Sequence, residues 1–234
     1  MGGRYWVWLG ARLLVAAVIV GWAFSYLTPG GSGEKEFQKT LDAMKQVRSV
    51  RVATVSEPLA GKQHSESSSE LVCEQNAYHS KWHVVDNASD TPIESSSDTL
   101  EVGNASYRRS PDGSWQKSGY PSGAPKLICS RLAQGDNSNF LPDFATMIKR
   151  AIIDKGDKKT VNGVRCREWK VTMKGGYSGL EHDTVCIGMN DHLPYEMTVD
   201  WARSRTIYSD YNAPIQLELH EAALQPTSAT SGTN

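Results

Sequence analysis

Val161-Asn162-Gly163-Val164-Arg165-Cys166-Arg167-Glu168-Trp169-Lys170-Val171, then Thr184-Val185-Cys186-Ile187, then Leu193-Pro194-Tyr195-Glu196-Met197: these three runs decide how the chain folds. Each is rich in β-branched and aromatic residues. The breaks between them, Lys174-Gly175-Gly176-Tyr177-Ser178-Gly179 and Asn190-Asp191, carry the glycine and Asn-Asp chemistry of hairpin turns. The stretch from Lys159 to Asp200 is therefore expected to form three consecutive antiparallel strands. If the first hairpin closes symmetrically about Gly176, Cys166 and Cys186 stand directly opposite each other, because they are equidistant from it. Directly opposed residues bring their Cβ atoms to about 4.5–5.5 Å, a separation a disulfide spans with little adjustment.

The chain has 234 residues, enough for one ordinary domain and a targeting segment. Its first acidic residue is Glu34, and only Arg4 and Arg12 carry charge before that point. The remainder holds 23 basic and 26 acidic groups, so no basic field is available to make nucleic acid a main partner. All four cysteines, Cys73, Cys129, Cys166 and Cys186, lie beyond the N-terminal segment. An even count in an exported chain favours disulfides, and four cysteines allow three connectivities; the hairpin register favours Cys166–Cys186 with Cys73–Cys129. No C-x-x-C pair, phosphate loop or zinc signature is present in the sequence, so neither metal nor cofactor is expected.

Residues 1–27 have two readings. With Arg12 closing a basic leader, Leu13 to Phe24 has the length of a signal-peptide core, and Ala23-Phe24-Ser25 offers small residues for cleavage. Taken whole, Tyr5 to Leu27 is about long enough to span a bilayer, with Trp6, Trp8, Trp22 and Tyr26 suited to its interfaces. The uncleaved anchor is the favoured reading, and both export the rest of the chain, because the positive charge stays inside. Residues 28–33, with Pro29, Gly30, Gly31 and Gly33, form a linker.

Phe37, Leu41, Met44 and Val47 fall at spacings of one helical face, with Lys35, Lys39, Asp42 and Lys45 off it, so Glu34 to Val47 is an amphipathic helix. From Ser49 onward, short β-rich runs alternate with turn residues: Val50 to Val55, His64 to Gln75, Ala77 to Val85, Thr99 to Arg108 and Ser114 to Lys117. The clusters Ser67-Ser68-Ser69 and Ser95-Ser96-Ser97 are expected as solvated strand edges or loops. His79 and His83 share a strand face, read as a wet surface rather than half a metal site. A short strand is expected over Lys126 to Leu132. A second helix comes next, with the stripe Phe140, Phe144, Met147, Ile148, Ala151 and Ile152, ending at Gly156 as its cap. A last strand pair, Ser204 to Ser209 and Ile215 to Leu219, turns at Asn212-Ala213-Pro214, and residues 222–234 form a disordered tail.

The hairpin Asn104…Tyr107-Arg108-Arg109…Asp112-Gly113-Ser114-Trp115, the segment Val161 to Trp169, Leu193-Pro194-Tyr195-Glu196 and Tyr208-Ser209-Asp210-Tyr211-Asn212-Ala213-Pro214-Ile215, set behind a first helix and around a second, together resemble the LolA/LolB superfamily. That group includes the periplasmic lipoprotein carriers and the LppX/LprG-type lipid-binding lipoproteins. The resemblance covers residues 34–221. It implies an α+β fold: a curved, incomplete antiparallel β-barrel whose open side is covered by helices, leaving an apolar cavity for acyl chains. No lipobox cysteine comes after the apolar segment, so a retained helix would anchor the chain and set it apart from freely diffusing carriers.

The expected function is non-catalytic binding of a hydrophobic ligand, lipid or lipoprotein acyl chains, in the periplasm or cell envelope, with the membrane reached through the N-terminal helix. The alternative is an envelope domain that binds or senses another protein through its sheet and keeps a closed core. Expected ligand contacts are Phe37, Leu41 and Met44 of the first helix and Phe144, Met147 and Ile148 of the second as a lid, with Trp169, Val171 and Val199 as sheet wall. An enzyme is disfavoured: Gly176-Tyr177-Ser178-Gly179 lacks the spacing of a nucleophile elbow and lies in a predicted hairpin tip.

Overall fold

The meander extends one strand further than expected. The computed structural model describes residues 31–57, 63–87, 91–118, 124–134, 141–176 and 179–217. Within them β8 (Val164–Gly176), β9 (Gly179–Gly188) and β10 (Pro194–Val199) form the three predicted strands, but Asn162 and Gly163 are not part of the first. They adopt φ of 48° and 80° and close a tight hairpin onto a preceding strand, β7 (Ala151–Val161). Asn-Gly is the pair that tolerates two successive positive φ angles, which is why the chain reverses there rather than running on.

That edge strand replaces half of the predicted second helix. Only Phe144–Arg150 is helical (α3), started by Asp143, whose carboxylate accepts the Thr146 N–H at 3.0 Å. Ala151 is already extended, and Gly156 is no helix cap but sits at a bulge in β7, where a Cβ would stand 3.0 Å from the Glu168 carbonyl oxygen. Ile152 and Ile153 are β-branched, and pairing with β8 satisfies their backbone as a strand. The Lys126–Leu132 strand is likewise corrected: Ala124–Gln134 is a helix (α2) whose Leu132 is buried and whose Cys129 is bonded to Cys73. So short a run carries no decisive period of its own, and tertiary packing made it helical.

The remaining elements are α1 (Ser32–Met44), β1 (Ser49–Ser56), β2 (Gln63–Val72), β3 (Ala77–Asp86), β4 (Ile93–Val102), β5 (Ala105–Arg109), β6 (Trp115–Ser118) and β11 (Ser204–Ser209). Among the described residues the eleven strands make one open antiparallel sheet in the order β6-β5-β4-β3-β2-β1-β11-β10-β9-β8-β7. The ends of the domain thus meet at its centre, where β1 pairs with β11. Ile215 to Leu217 does not pair as a strand; Ile215 and Leu217 instead bury themselves with Val72, Ala77 and Leu100.

Register assigns each residue to a face. Trp169, Val185, Met197, Thr206, Thr54, Ser67 and Trp82 form one continuous cross-strand row from β8 to β3. The face they share is the one the helices cover: Phe37 of α1 meets Trp169 edge-on at 6.3 Å, and Phe144 of α3 meets Phe37 at 4.9 Å. His192 at the β9–β10 turn ties α1 down through Glu36 at 2.6 Å. On the outer face, Glu196 bonds Lys159 at 2.6 Å and Arg205 at 2.8 Å, and Lys159 reaches Glu168 at 3.0 Å. Burial opposes charge on both Lys159 and Glu196, but the hydrogen bonds outweigh it, raising the lysine pKa and lowering that of Glu196.

Both expected disulfides are present, Cys73–Cys129 and Cys166–Cys186. The second does not join directly opposed residues, because Cys166 pairs with Gly188 and Cys186 with Glu168. The hairpin is offset by two residues from symmetry about Gly176. An even shift preserves the face, and the two cysteines meet diagonally with Cα atoms 5.5 Å apart.

The predicted anchor in residues 1–27 and the tail 222–234 lie outside the described residues. Among the described residues no helix is long and apolar enough to cross a membrane.

Candidate functional site

The inner face is not filled evenly. At its β7–β8–β9 side, Phe37, Leu41, Met44, Phe144, Met147, Trp169 and Val171 are all buried in one core, with Ile148 packed against it. Near its middle the strands carry small hydroxyl side chains instead. Thr54, Ser67, Ser69, Ser80 and Thr206 occupy inner positions on β1, β2, β3 and β11, and a short side chain leaves volume that a Leu or Phe would fill.

The result is a cavity of about 890 Å³. Val52, Tyr78, Trp82, Met197, Trp201 and Tyr208 wall it beside those hydroxyls, and Leu141-Pro142-Asp143, leading into α3, close one end. Its size falls within the roughly 300–1,000 Å³ of small-molecule sites. Trp201 is 56% exposed and Trp82 41% exposed, so two indoles stand where the cavity opens to solvent.

The chemistry of the walls is neutral. Thr54 and Thr206 share a hydrogen bond at 3.0 Å, and Ser69 lies 3.2 Å from the Tyr78 hydroxyl and 3.4 Å from Ser80. Burial holds the Tyr208 phenol well above its usual pKa, so it is an uncharged hydroxyl. Among the described lining residues the single ionisable carboxyl is Asp143, which caps α3. Such a surface, with hydroxyls interleaved among apolar side chains, can accommodate an apolar chain and hydrogen-bond a few polar oxygens along it. It offers no paired nucleophile and base. Gly176 and Gly179 pair as the last residues of β8 and the first of β9, so strands and no helix flank the predicted elbow; Tyr177 and Ser178 lie outside the described residues.

None of the nine predicted contact residues walls this cavity. Seven are buried core, Ile148 is half-buried against them, and Val199 is half-buried two residues beyond Met197 on β10. Part of the wall comes from a segment read as solvated: Ser67 and Ser69 lie inside β2, and the second cluster, Ser95 to Ser97, likewise lies inside a strand, β4. The unbroken run Ser67-Ser68-Ser69 puts serine on both faces of the strand, so only the register shows that Ser67 and Ser69 face inward. His79, read as wet, is 5% exposed and bonds Asp98 at 2.7 Å, and among the described residues no cluster of metal-ligating side chains is found.

No protein-family model matches the sequence, and no curated protein does. Solved structures do. LprF from Mycobacterium bovis superposes with a TM-score of 0.58 over 80% of this chain and 96% of its own, at 14% identity. The Mycobacterium tuberculosis lipoprotein LppX superposes at 0.51 over 79% and 97%, at 16% identity. A LolA superfamily protein from Nitrosomonas europaea aligns over 80% of this chain and 96% of its own, at 12% identity and a TM-score of 0.27, too low to argue from. At these identities what is shared is the backbone architecture, and the chain has the fold taken by LprF and LppX.

Proposed function

We propose that this protein is a non-catalytic binder of a hydrophobic ligand, the acyl chains of a lipid or lipoprotein, working on the extracytoplasmic side of a cell envelope and held to the membrane by its N-terminal helix. The observation that carries the reading is the inner-face cavity of about 890 Å³, walled by apolar and aromatic side chains interspersed with neutral hydroxyls. The likeness to LppX, a lipoprotein, supports it. In this reading the open sheet is a half-barrel, α1 and α3 are its lid, and residues 34–221 are the binding domain. Phe37, Leu41, Met44, Phe144, Met147, Ile148, Trp169, Val171 and Val199 then form the deep end, reached when the lid shifts. Burial of chain contributes about 0.8 kcal/mol per CH₂.

Native mass spectrometry of the full chain purified from an envelope fraction, with organic extraction of bound material, tests this. Co-purifying acyl lipid is the expected result. A bare mass, together with failure of the stripped protein to take up a fluorescent fatty acid or lipopeptide, would sink it. A second reading has its own observation: Phe37 and Phe144 are fully buried, and Val55, Trp82 and Ile93 are exposed on strands. A closed deep core with an exposed sheet surface suits an envelope domain that binds another protein, and crosslinking in the envelope would recover that partner.

A further inference from the structure

The core beside the cavity contains a polar atom that its packing does not explain. Trp169 is 4% exposed, and among the described residues its indole Nε1–H has no hydrogen-bond partner. Leaving a buried donor unanswered costs about 1–3 kcal/mol, and a Phe would fill most of the same space without that cost. Trp169 also lies on the cavity's own register row, since Val185 and then Met197 follow it across β9 and β10, and Met197 is a cavity wall. At about 4.8 Å between strands the two positions are roughly 10 Å apart. Above Val185, which lies between them on the sheet, a chain of aromatic contacts leads from the cavity to Trp169. Leu141-Pro142-Asp143 closes the cavity, Phe144 is next in sequence, Phe144 meets Phe37 at 4.9 Å, and Phe37 meets Trp169 at 6.3 Å.

We infer that the cavity continues under α1 when Phe37 and Phe144 swing aside, and that the Trp169 N–H then donates to the carbonyl oxygen of an esterified acyl chain lying in it. This rests on the hydrophobic-ligand reading and specifies its ligand. The acceptor is an ester carbonyl and not a free carboxylate for an electrostatic reason. Trp169 is 4% exposed in a core with Phe37, Phe144 and Val171, and bringing a charged carboxylate out of water into such a core costs far more than bringing a neutral carbonyl. An ester brings the same oxygen without the charge.

The test uses the full chain, stripped of lipid, with three probes: a pyrene-labelled long-chain methyl ester, the matching free acid, and an alkyl-pyrene of equal length. Wild type should prefer the ester. Trp169→Phe should bind the ester about tenfold more weakly, which is about 1.4 kcal/mol, leave the alkyl-pyrene unchanged, and melt no lower than wild type without ligand. A merely structural tryptophan would weaken all three probes alike or none, and either result overturns the assignment. If Trp169→Phe does not fold, the wild-type indole resonance of Trp169, assigned through its contacts with Phe37, decides. A shift on adding ester but not alkyl-pyrene supports the bond, and no shift refutes it. Wild type that takes up none of the probes overturns the ligand reading itself, whereas uptake with no dependence on Trp169 overturns only this inference.

Discussion

Phe144→Ala tests whether the aromatic pair is a movable wall or plain core. Phe144 is fully buried, and its ring meets Phe37 at 4.9 Å with the planes perpendicular. Truncating a buried Phe costs about 3–5 kcal/mol, the lost transfer free energy plus the void left behind. In a protein whose whole stability is about 5–15 kcal/mol this is large but survivable. With an m-value of about 2 kcal/mol/M, the urea midpoint should fall by about 1.5–2.5 M. The void, however, opens beside the cavity end at Leu141-Pro142-Asp143, so an acyl ligand can occupy it. Ligand at about a hundred times its Kd returns about 2.7 kcal/mol, or more than about 1 M of that loss. The assay is urea unfolding of delipidated wild type and variant, each with and without a pyrene-labelled acyl ester. Recovery in the variant at least as large as in wild type is expected. A full loss with no ligand recovery would show that the region is ordinary core and that the chain stops at the present cavity wall.

Thr206→Phe, placed mid-row in the cavity, should weaken acyl-probe binding at least tenfold, because a ring replaces the volume the chain needs; fluorescence titration measures it, with an unchanged circular dichroism spectrum as control. Replacing both members of a disulfide with Ala should cost about 4 kcal/mol for Cys73–Cys129 and about 3 kcal/mol for Cys166–Cys186 on the chain-entropy account, since the sequence separations are 56 and 20; denaturant midpoints of the two double variants give the order. The lowered pKa of Glu196 has a definite sign: its contribution is present above the unfolded value of 4.5 and is lost as pH falls through the lower folded value. Glu196→Gln should therefore be less stable than wild type at neutral pH, and the gap should narrow below pH 4.5 in acid-unfolding curves.

The two amphipathic stripes were legible at the residue level. Phe37, Leu41 and Met44 are buried where their spacing placed them. For Phe144 and Met147 the face was right but the length was not, because Ala151 to Val161 had a partner in β8 that local periodicity cannot report. The Asn162-Gly163 pair carries a turn signal of its own, since both residues adopt positive φ and reverse the chain between β7 and β8. The α2 region had no usable signal, its helix being held by Leu132 and by the bridge from Cys129 to Cys73.

By itself the sequence determined an antiparallel sheet with two one-sided helical stripes, because alternation, helical spacing and turn residues are properties of neighbouring positions, and it favoured the cysteine pairing without fixing it. Only the tertiary structure decided where the sheet is left unfilled. That depends on which small side chains from β1, β2, β3 and β11 come to lie together, and Thr54 and Thr206, 152 positions apart in the chain, meet at 3.0 Å only because β1 pairs with β11.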